Sequence, residues 1–278
     1  MSQDAPRQPR SAAERAQTAR LENSYWRSRA SVMLDIERQV CGCDYGGCSW
    51  TTRSEAESFA TLLGLRPGRR LLDLGAGSGW PGLYLARISG CDLTLIDLPL
   101  AGLRLAAERR ARDALPGGCW IAAADATELP FRDGTFDALS HSDLLCCLRQ
   151  KRAALAACRR VIRPTGCMAF TVISVVPDLA EDARRRAVAA GPEFIETSTP
   201  YPGLLEDTGW SLQDRQDLTA AYEASLRRQL QADEARRSAL EELMGRALVT
   251  DRLAHWRHEL AALDEGLLRR ELYLAVPA

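Results

Sequence analysis

The stretch from Leu71 to Trp80 constrains the fold more than any other part of the chain. A short apolar run, interrupted by Asp73, leads into three glycines at alternate positions. Such a run suits a strand of a parallel sheet that is buried on both faces. Glycine lacks Cβ, so the turn can adopt positive φ and let a ligand lie against bare backbone. A helix that begins near Leu83 would add unpaired N–H groups. The sequence therefore predicts a strand, turn and helix that bind a nucleotide-like ligand.

The spacing of the three glycines separates two kinds of nucleotide site. The dinucleotide fingerprint G-x-G-x-x-G, counted from Gly75, needs a glycine where the chain has Trp80. Gly75, Gly77 and Gly79 instead form G-x-G-x-G, which resembles motif I of the class I methyltransferases that use S-adenosylmethionine (SAM). A tight turn in some other α/β protein is the alternative that this motif alone leaves open.

Three later stretches strengthen the resemblance, which covers roughly residues 60–175. The predicted strand 91–98 carries Asp97 at its carboxyl end, where an acid can accept both ribose hydroxyls. Residues 120–131 resemble the adenine-binding stretch of the same family, with Asp125 as the acid that meets the adenine amino group. The next strand begins F-D-A-L and resembles the family's F-D-x-V.

The resemblance implies a cofactor and a set of residues that hold it. The cofactor is SAM, and the product is S-adenosylhomocysteine (SAH). The residues that match the family's binding positions are Asp73, Gly75, Ala76, Gly77, Gly79, Asp97, Leu98, Asp125, Ala126 and Ser140.

The alternation of strands and helices predicts an α/β fold, a Rossmann-like doubly wound sheet of seven strands with an N-terminal and an inserted helical cap. We expect an N-terminal tail and helical lid over 1–55 and a SAM-binding core over 56–218, with an irregular cap segment at 178–205. Residues 219–268 are rich in Ala, Leu, Glu and Arg and predict a helical insertion, and 269–278 predict the last strand. Ligands bind at the carboxyl ends of parallel strands, which would bring the two acids and the glycine turn together.

Apolar spacing and turn residues set more detailed expectations. A helical pattern runs over 11–40, and Thr51 or Thr52 is placed to cap a helix that begins at 53. We expect a helix from 143 to 160, a turn over 163–166, and a break at Gly245 that divides the insertion into two helices.

Polar and aromatic residues near the predicted methyl position are candidates for acceptor binding. His141 follows the fourth strand, and histidine is readily poised near neutral pH, so it is the candidate base or acceptor-binding residue. A structural histidine is the alternative. Asp143 would bind a cationic acceptor or cap the following helix. Tyr25 would form a lid over the methionine end of SAM or pack in the core. The set of predicted acceptor-binding residues is Tyr25, Tyr45, Trp50, His141, Asp143 and Tyr201.

The nine cysteines suggest two interpretations, a bound metal ion and the methylation of a metalloid. Structural zinc wants four ligands, and none is evident near Cys41, Cys43 and Cys48, so we expect no metal. That loop is better interpreted as an acceptor-facing or packing segment. Arsenite methyltransferases bind arsenic through a cysteine after the fourth strand, where this chain has Asp143 instead, with Cys146–Cys147 further along.

Charge and hydropathy exclude several partners. With 36 basic and 37 acidic residues, the net charge of −1 favours neither nucleic acid nor a membrane surface. No uncharged apolar run reaches 18 residues, and residues 1–12 read as a disordered tail rather than a signal peptide. We therefore expect a cytoplasmic protein with reduced thiols. Arginines number 35 against one lysine, which fits a GC-rich, bacterial coding sequence.

These observations predict an enzyme that transfers a methyl group from SAM to an N, O, C or S atom of a small molecule. We expect a monomer or a homodimer, and no partner other than the small-molecule acceptor. Two alternatives stay open. The chain could be a non-catalytic SAM- or SAH-binding scaffold or partner subunit, or a cysteine-assisted metalloid or thiol methyltransferase.

Overall fold

The computed structural model describes residues 10–47 and 49–278. The tail predicted to be disordered lies almost entirely outside these residues, and so does Cys48. Within them, seven strands form one sheet in the order β3-β2-β1-β4-β5-β7-β6. The strands are β1 (Arg70–Leu74), β2 (Asp92–Asp97), β3 (Cys119–Ala123), β4 (Phe136–Ser142), β5 (Ile162–Val175), β6 (Trp210–Asp217) and β7 (Leu268–Pro277).

Strands β1 to β5 run parallel, and β7 is antiparallel to both β5 and β6. The strand order reverses between β1 and β4, which is the switch point where ligands bind in such sheets. Leu71 and Leu72 of β1 and Leu139 of β4 are fully buried, as the apolar runs predict. The predicted doubly wound, seven-stranded sheet is confirmed.

Eleven α-helices flank the sheet in the described residues. They are α1 (Ala12–Ser28), α2 (Ser31–Cys41), α3 (Arg53–Leu62), α4 (Gly82–Ser89), α5 (Leu100–Arg112), α6 (Lys151–Val161), α7 (Glu181–Ala190), α8 (Tyr201–Asp207), α9 (Thr219–Ala235), α10 (Arg237–Met244) and α11 (Arg246–Asp264). Helix α3 begins as predicted, because Thr52 and Glu55 form a reciprocal capping box. None of the helices in the described part of the chain is long and apolar enough to cross a membrane.

The N-terminal and inserted helices are divided differently from the prediction. The pattern over 11–40 forms two helices, because Ala30 is extended and α1 packs on α5 while α2 packs on α9. The insertion forms three helices. It breaks at Gly245 as predicted and also at Arg236, where α10 turns back to pack on α9 and α11. Tertiary packing sets both of these additional breaks, and local propensity does not reveal them.

Two boundaries near β4 also differ. The helix predicted from 143 begins only at Lys151, after a 3₁₀ turn at Leu145–Cys147. Asp143 has φ of +53° and does not cap that turn, whose N-cap residue is Leu144, so the predicted capping role is wrong. Strand β5 starts before the turn predicted at 163–166, with an irregular register opposite β4.

One buried guanidinium joins distant parts of this fold. Arg270 of β7 is fully buried, and its Nε lies 3.0 and 3.2 Å from the two carboxylate oxygens of Asp143. Its Nη1 donates to Glu55 at 2.9 Å. Its Nη2 lies 3.3 Å from the hydroxyl of Thr51 and 3.2 Å from that of Thr171. The last strand is thereby tied to α3, to the segment before it, to β5 and to the end of β4.

We predict that Arg270→Met lowers the free energy of unfolding by about 3–5 kcal/mol, because it leaves the buried Asp143 carboxylate without its charge partner. Urea unfolding measures the effect. Arg185→Met is the matched control, since the Arg185 side chain is 66% exposed and, within residues 10–47 and 49–278, pairs only with exposed acids on its own helix. That substitution should change stability by less than about 1 kcal/mol. Equal effects of the two substitutions would contradict the structural role of Arg270.

Candidate functional site

The turn after β1 has the backbone that the alternating glycines predict. Gly75, Gly77 and Gly79 all have positive φ, between +50° and +94°. A Cβ on Gly77 would lie 2.3 Å from the hydroxyl oxygen of Tyr25, and a Cβ on Gly75 would lie 2.8 Å from a methyl of Leu144. Only glycine fits such close approaches. The turn therefore presents bare backbone at the switch point of the sheet.

Asp97 lies beside this turn at the end of β2. Its Oδ2 accepts the Gly77 amide at 2.8 Å, and its Oδ1 accepts the Leu98 amide at 2.7 Å. A carboxylate has about four acceptor positions, so further capacity is left for donors from a ligand. Burial raises the pKa of Asp97 to about 6. The structure thus places the acid in direct contact with the glycine turn.

Asp73 and Ser140 lie in the two strands next to the glycine turn. They are register partners on β1 and β4, and the Ser140 hydroxyl donates to Asp73 Oδ1 at 2.7 Å. Both are buried, and burial raises the pKa of Asp73 to about 7. A Cβ on Gly82 would come within 2.5 Å of the second Asp73 oxygen, so this acid also fixes how closely α4 approaches β1. Their predicted contact with a cofactor stays a prediction.

Asp125 follows β3 at the same edge. Its Oδ1 accepts both the amide and the hydroxyl of Thr127, at 2.9 and 2.7 Å. The neighbouring Ala126 is buried. The three segments with Gly75, Asp97 and Asp125 therefore follow adjacent strands of the sheet, as the sequence predicts.

Helix α1 lies across this edge and closes it. The carboxylate of Glu22 accepts the Leu100 and Ala101 amides at 2.8 and 2.6 Å, which caps the N-terminus of α5. Tyr25, one turn further along, packs between Gly77 and Gly102. Tyr25, predicted to form a lid or to pack in the core, is buried against Ala101 and Leu105, and its role as a lid over SAM stays a prediction. Glu22 was not predicted. The absence of an acid from the first turn of α5 is the signal that could have pointed to an acid elsewhere.

A cavity of about 340 Å³ lies next to this lid. Its wall comes from α1, α2, residues 46, 47, 49 and 50, β5, α9 and α11. Among the predicted acceptor-binding residues, Trp50 lines it. Gly47, also in its wall, is close to the glycine turn, since a Cβ there would lie 3.6 Å from the Ser78 hydroxyl.

The other predicted acceptor-binding residues lie elsewhere or have other partners. The ring of Tyr45 packs on that of Trp80, with 5.1 Å between the centroids, and the Arg109 guanidinium lies over the Tyr45 ring. Asp143 is engaged by Arg270. Tyr201 is buried near Phe170 and Tyr273. The structure therefore brings neither of the two tyrosines nor this carboxylate into the wall of the cavity.

His141 is buried in the sheet rather than in the cavity wall. Its ring stacks on Phe170 with 4.6 Å between the centroids, and neither ring nitrogen has a hydrogen-bond partner among the described residues. Burial lowers the pKa of His141 to about 3. A role as base stays a prediction, and so low a pKa makes the imidazole a weak base at neutral pH.

The inserted helix α11 supplies groups that the sequence did not single out. His255, Trp256 and Glu259 all line the cavity. Glu259 is buried and accepts a hydrogen bond from the Tyr222 hydroxyl of α9. Burial raises the pKa of Glu259 to about 7. The His–Trp–x–x–Glu spacing on one helix face is the signal that could have found them.

The cysteines are dispersed. Cys41 and Cys43 are buried, and burial raises the pKa of the Cys41 thiol to about 12. Cys146 is buried, with its sulfur 3.1 Å from the Asp143 carbonyl oxygen. The described residues contain no group of three or more His, Cys, Asp or Glu side chains placed to hold a metal ion.

Comparisons with known proteins agree with this geometry. Residues 72–170 match a family model described as a methyltransferase domain. Demethylmenaquinone methyltransferase of Beutenbergia cavernae is 33% identical over 59% of this chain and 76% of its own length. The 27-O-demethylrifamycin SV methyltransferase of Amycolatopsis mediterranei is 29% identical over 61% of this chain and 63% of its own, so the chain spans less than two thirds of that relative.

A solved structure shares the fold at greater distance. Phosphoethanolamine N-methyltransferase 2 of Haemonchus contortus, in complex with phosphomonomethylethanolamine and SAH, superposes with a TM-score of 0.77. The two chains are 16% identical, and the match covers 97% of this chain and 61% of the other.

We predict that Gly77→Ala destabilises the protein more than Gly68→Ala does and loosens α1. Both glycines have positive φ, but a Cβ at position 77 would collide with Tyr25, whereas a Cβ at position 68 meets no atom within 4 Å. The shared backbone strain costs about 1 kcal/mol, so any excess reports the displaced tyrosine. Urea unfolding and hydrogen exchange of residues 12–28 measure the two effects. Equal exchange in the two variants would show that Tyr25 does not anchor the helix.

Proposed function

The chain belongs to the class I SAM-dependent methyltransferase family, and we propose that it transfers the methyl group of SAM to a small-molecule acceptor bound beneath its N-terminal and inserted helices. One observation carries the proposal. The Gly77 amide and the Asp97 carboxylate meet at the switch point of the sheet, next to a cavity closed by two helical elements. This arrangement provides neighbouring binding sites for a nucleotide-like methyl donor and for an acceptor.

The residues around the turn fit SAM. The glycines give the turn its positive φ and leave its backbone without side chains of its own, and Asp97 keeps acceptor capacity for the ribose hydroxyls. We propose that Asp125 and the backbone near Ala126 meet the adenine, with Leu98 at the edge of the same site. Asp73 and Ser140 would act indirectly, since both are buried beneath the turn.

Bound SAM supplies a methyl group on a sulfonium, which needs no further activation. The chain must then hold the acceptor atom in line with the sulfur–methyl bond and exclude water. Helix α1 closes the edge through Glu22 and Tyr25, while α9 and α11 cover the cavity from the other side. The transfer becomes more favourable as the sulfonium charge disappears in a site with little water.

The localisation, the bacterial source and the oligomeric state are also proposals. We propose a cytoplasmic, bacterial protein that acts on a small molecule rather than a nucleic acid, as a monomer or homodimer. The nearly balanced charges and the arginine-rich composition support this. We also propose that the acceptor binds in the cavity and that the chain is divided into an N-terminal lid, a SAM-binding core and an inserted cap.

Calorimetric titration of the purified protein tests the cofactor proposal. SAM and SAH should bind with micromolar Kd, and NAD, the control, should not bind. SAH binding with no methyl transfer to any acceptor of a broad panel would favour the non-catalytic scaffold. A folded sample that binds neither SAM nor SAH would overturn the proposal.

We predict that Asp97→Asn weakens SAM binding at least tenfold, because the amide group replaces one acceptor oxygen with a donor. A tenfold loss corresponds to about 1.4 kcal/mol, which is the size of one hydrogen bond to a charged group. The wild-type affinity should also fall as the pH drops through about 6, where Asp97 becomes protonated, and the variant should lose this dependence.

The matched control is Asp92→Asn, at the opposite end of the same strand. Asp92 accepts the Gly118 amide at 2.8 Å, far along β2 from the glycine turn. Calorimetry should give it the wild-type Kd for SAM. Unchanged affinity in Asp97→Asn would remove that residue from the ribose role.

A further inference from the structure

We propose that the cavity recognises an acceptor that carries a positively charged amine or ammonium group, held by Glu259 against the indole ring of Trp50. The inference rests on the proposed function, because it takes this cavity as the acceptor site. It adds the chemical class of the acceptor and the residues that select it.

The charges in the wall of the cavity are unbalanced. Glu37 and Glu259 both line it. Glu37 accepts the Gly46 and Gly47 amides, and Glu259 accepts the Tyr222 hydroxyl. In the part of the chain that the structure describes, neither carboxylate forms an ion pair with an arginine or lysine. Glu259 is buried and Glu37 half-buried, so both are drawn out of water without a full counter-charge, which a cationic ligand would supply.

The cationic side chain in the wall does not correct the imbalance. Arg252 lies 2.6 Å from the carboxylate of Asp233, which is fully buried. His255 has its Nε2 3.7 Å from Glu259, but burial lowers its pKa, so it is neutral near pH 7. Burial raises the pKa of Glu37 as well as that of Glu259, and when the two carboxylates are ionised these groups present a negative charge to the cavity.

Other charged groups face Glu259 from the elements packed on it. Tyr222 of α9 is in contact with it, and the Asp143 carboxylate acts on it from the end of β4. Arg270 of β7 lies on the ring of Tyr222, 5.9 Å from its centroid, and is held by acids of its own. Burial and Asp143 both raise the pKa of Glu259. A bound cation would reverse that shift by favouring the ionised carboxylate.

One aromatic side chain completes the cation site. The rings of Trp50 and Trp256 meet nearly at right angles, with 5.5 Å between their centroids, and both are half-buried. The Arg252 guanidinium lies over the Trp256 ring, 5.0 Å from its centroid, so that indole already has a cation and Trp50 is the cavity-lining indole left for a ligand. Indole faces attract cations, and tryptophan is the strongest of the aromatic residues in this respect. The Trp50 indole and the Glu259 carboxylate are therefore the groups that would hold an ammonium ion.

A matched pair of probes isolates the charge. Choline and 3,3-dimethylbutan-1-ol have the same shape, and only choline is cationic. We expect choline to bind the SAH-saturated protein at least tenfold more tightly than the alcohol, measured by calorimetry and by tryptophan fluorescence. Equal affinities, or no choline binding in a sample that binds SAH, would overturn the inference. Failure to bind SAH would instead count against the proposed function.

Single substitutions test which residues form the cation site. Glu259→Gln keeps an acceptor for Tyr222 and should abolish the preference for choline. Asp251→Asn makes the same charge change at an exposed position of the same helix and should leave the preference unchanged. Trp50→Leu should weaken choline binding about three- to tenfold while leaving the alcohol unaffected. A preference that survives in Glu259→Gln would place the cation elsewhere and contradict the assignment.

The pH dependence keeps the test decisive if Glu259→Gln does not fold. Choline binding to the wild-type protein should weaken as the pH falls from 8 to 6, because Glu259 takes up a proton and His255 moves towards its cationic form. Binding of the neutral alcohol should not change over this range. A choline affinity that is flat with pH would contradict the role of the carboxylate.

Discussion

The buried guanidinium of Arg270 is the contact on which the arrangement of core and cap depends. It lies on the last strand, directly after the inserted helices, and meets side chains from four other places in the chain. A buried ion pair adds little net stability, because desolvation offsets most of the attraction. What it adds is a fixed geometry, since a buried carboxylate left alone is very unfavourable. The inserted helices therefore return to the sheet in one position over the glycine turn.

This contact also decides which acids are available for chemistry. Asp143 follows β4 and was predicted to bind an acceptor, but Arg270 holds its carboxylate. Glu55 is bound by the same guanidinium and caps α3 as well. The acids that line the cavity are Glu37 and Glu259, which come from the N-terminal helices and the insertion. The core thus fixes the cofactor side, and the added helices determine the acceptor side, as expected when one fold serves many substrates.

Closure of the cofactor side depends on a similarly small number of contacts. Glu22 completes the N-terminus of α5, while Tyr25 of the same helix fills the space left by two glycines. Both contacts form only when α1 lies across the sheet edge, so the lid and the turn stabilise each other. The same helix contributes Leu21 and Ser24 to the wall of the proposed acceptor cavity. Under the proposed function, the donor and acceptor sites would share one boundary.

The sequence by itself determined the parts of this protein that local backbone chemistry controls. The glycines, the apolar strands, Asp97 at the end of β2, Asp125 after β3 and the helix cap at Thr52 all follow from residues close together in the chain. Only the tertiary structure decided which polar side chains pair with each other. Asp143 and Arg270 are 127 positions apart, and no local pattern marks them as partners. Glu259 is buried and accepts a hydrogen bond from Tyr222, 37 residues away, and His141 is buried in the packed sheet. Burial and charge pairing arise from long-range packing, and these two properties decide which polar side chains can act.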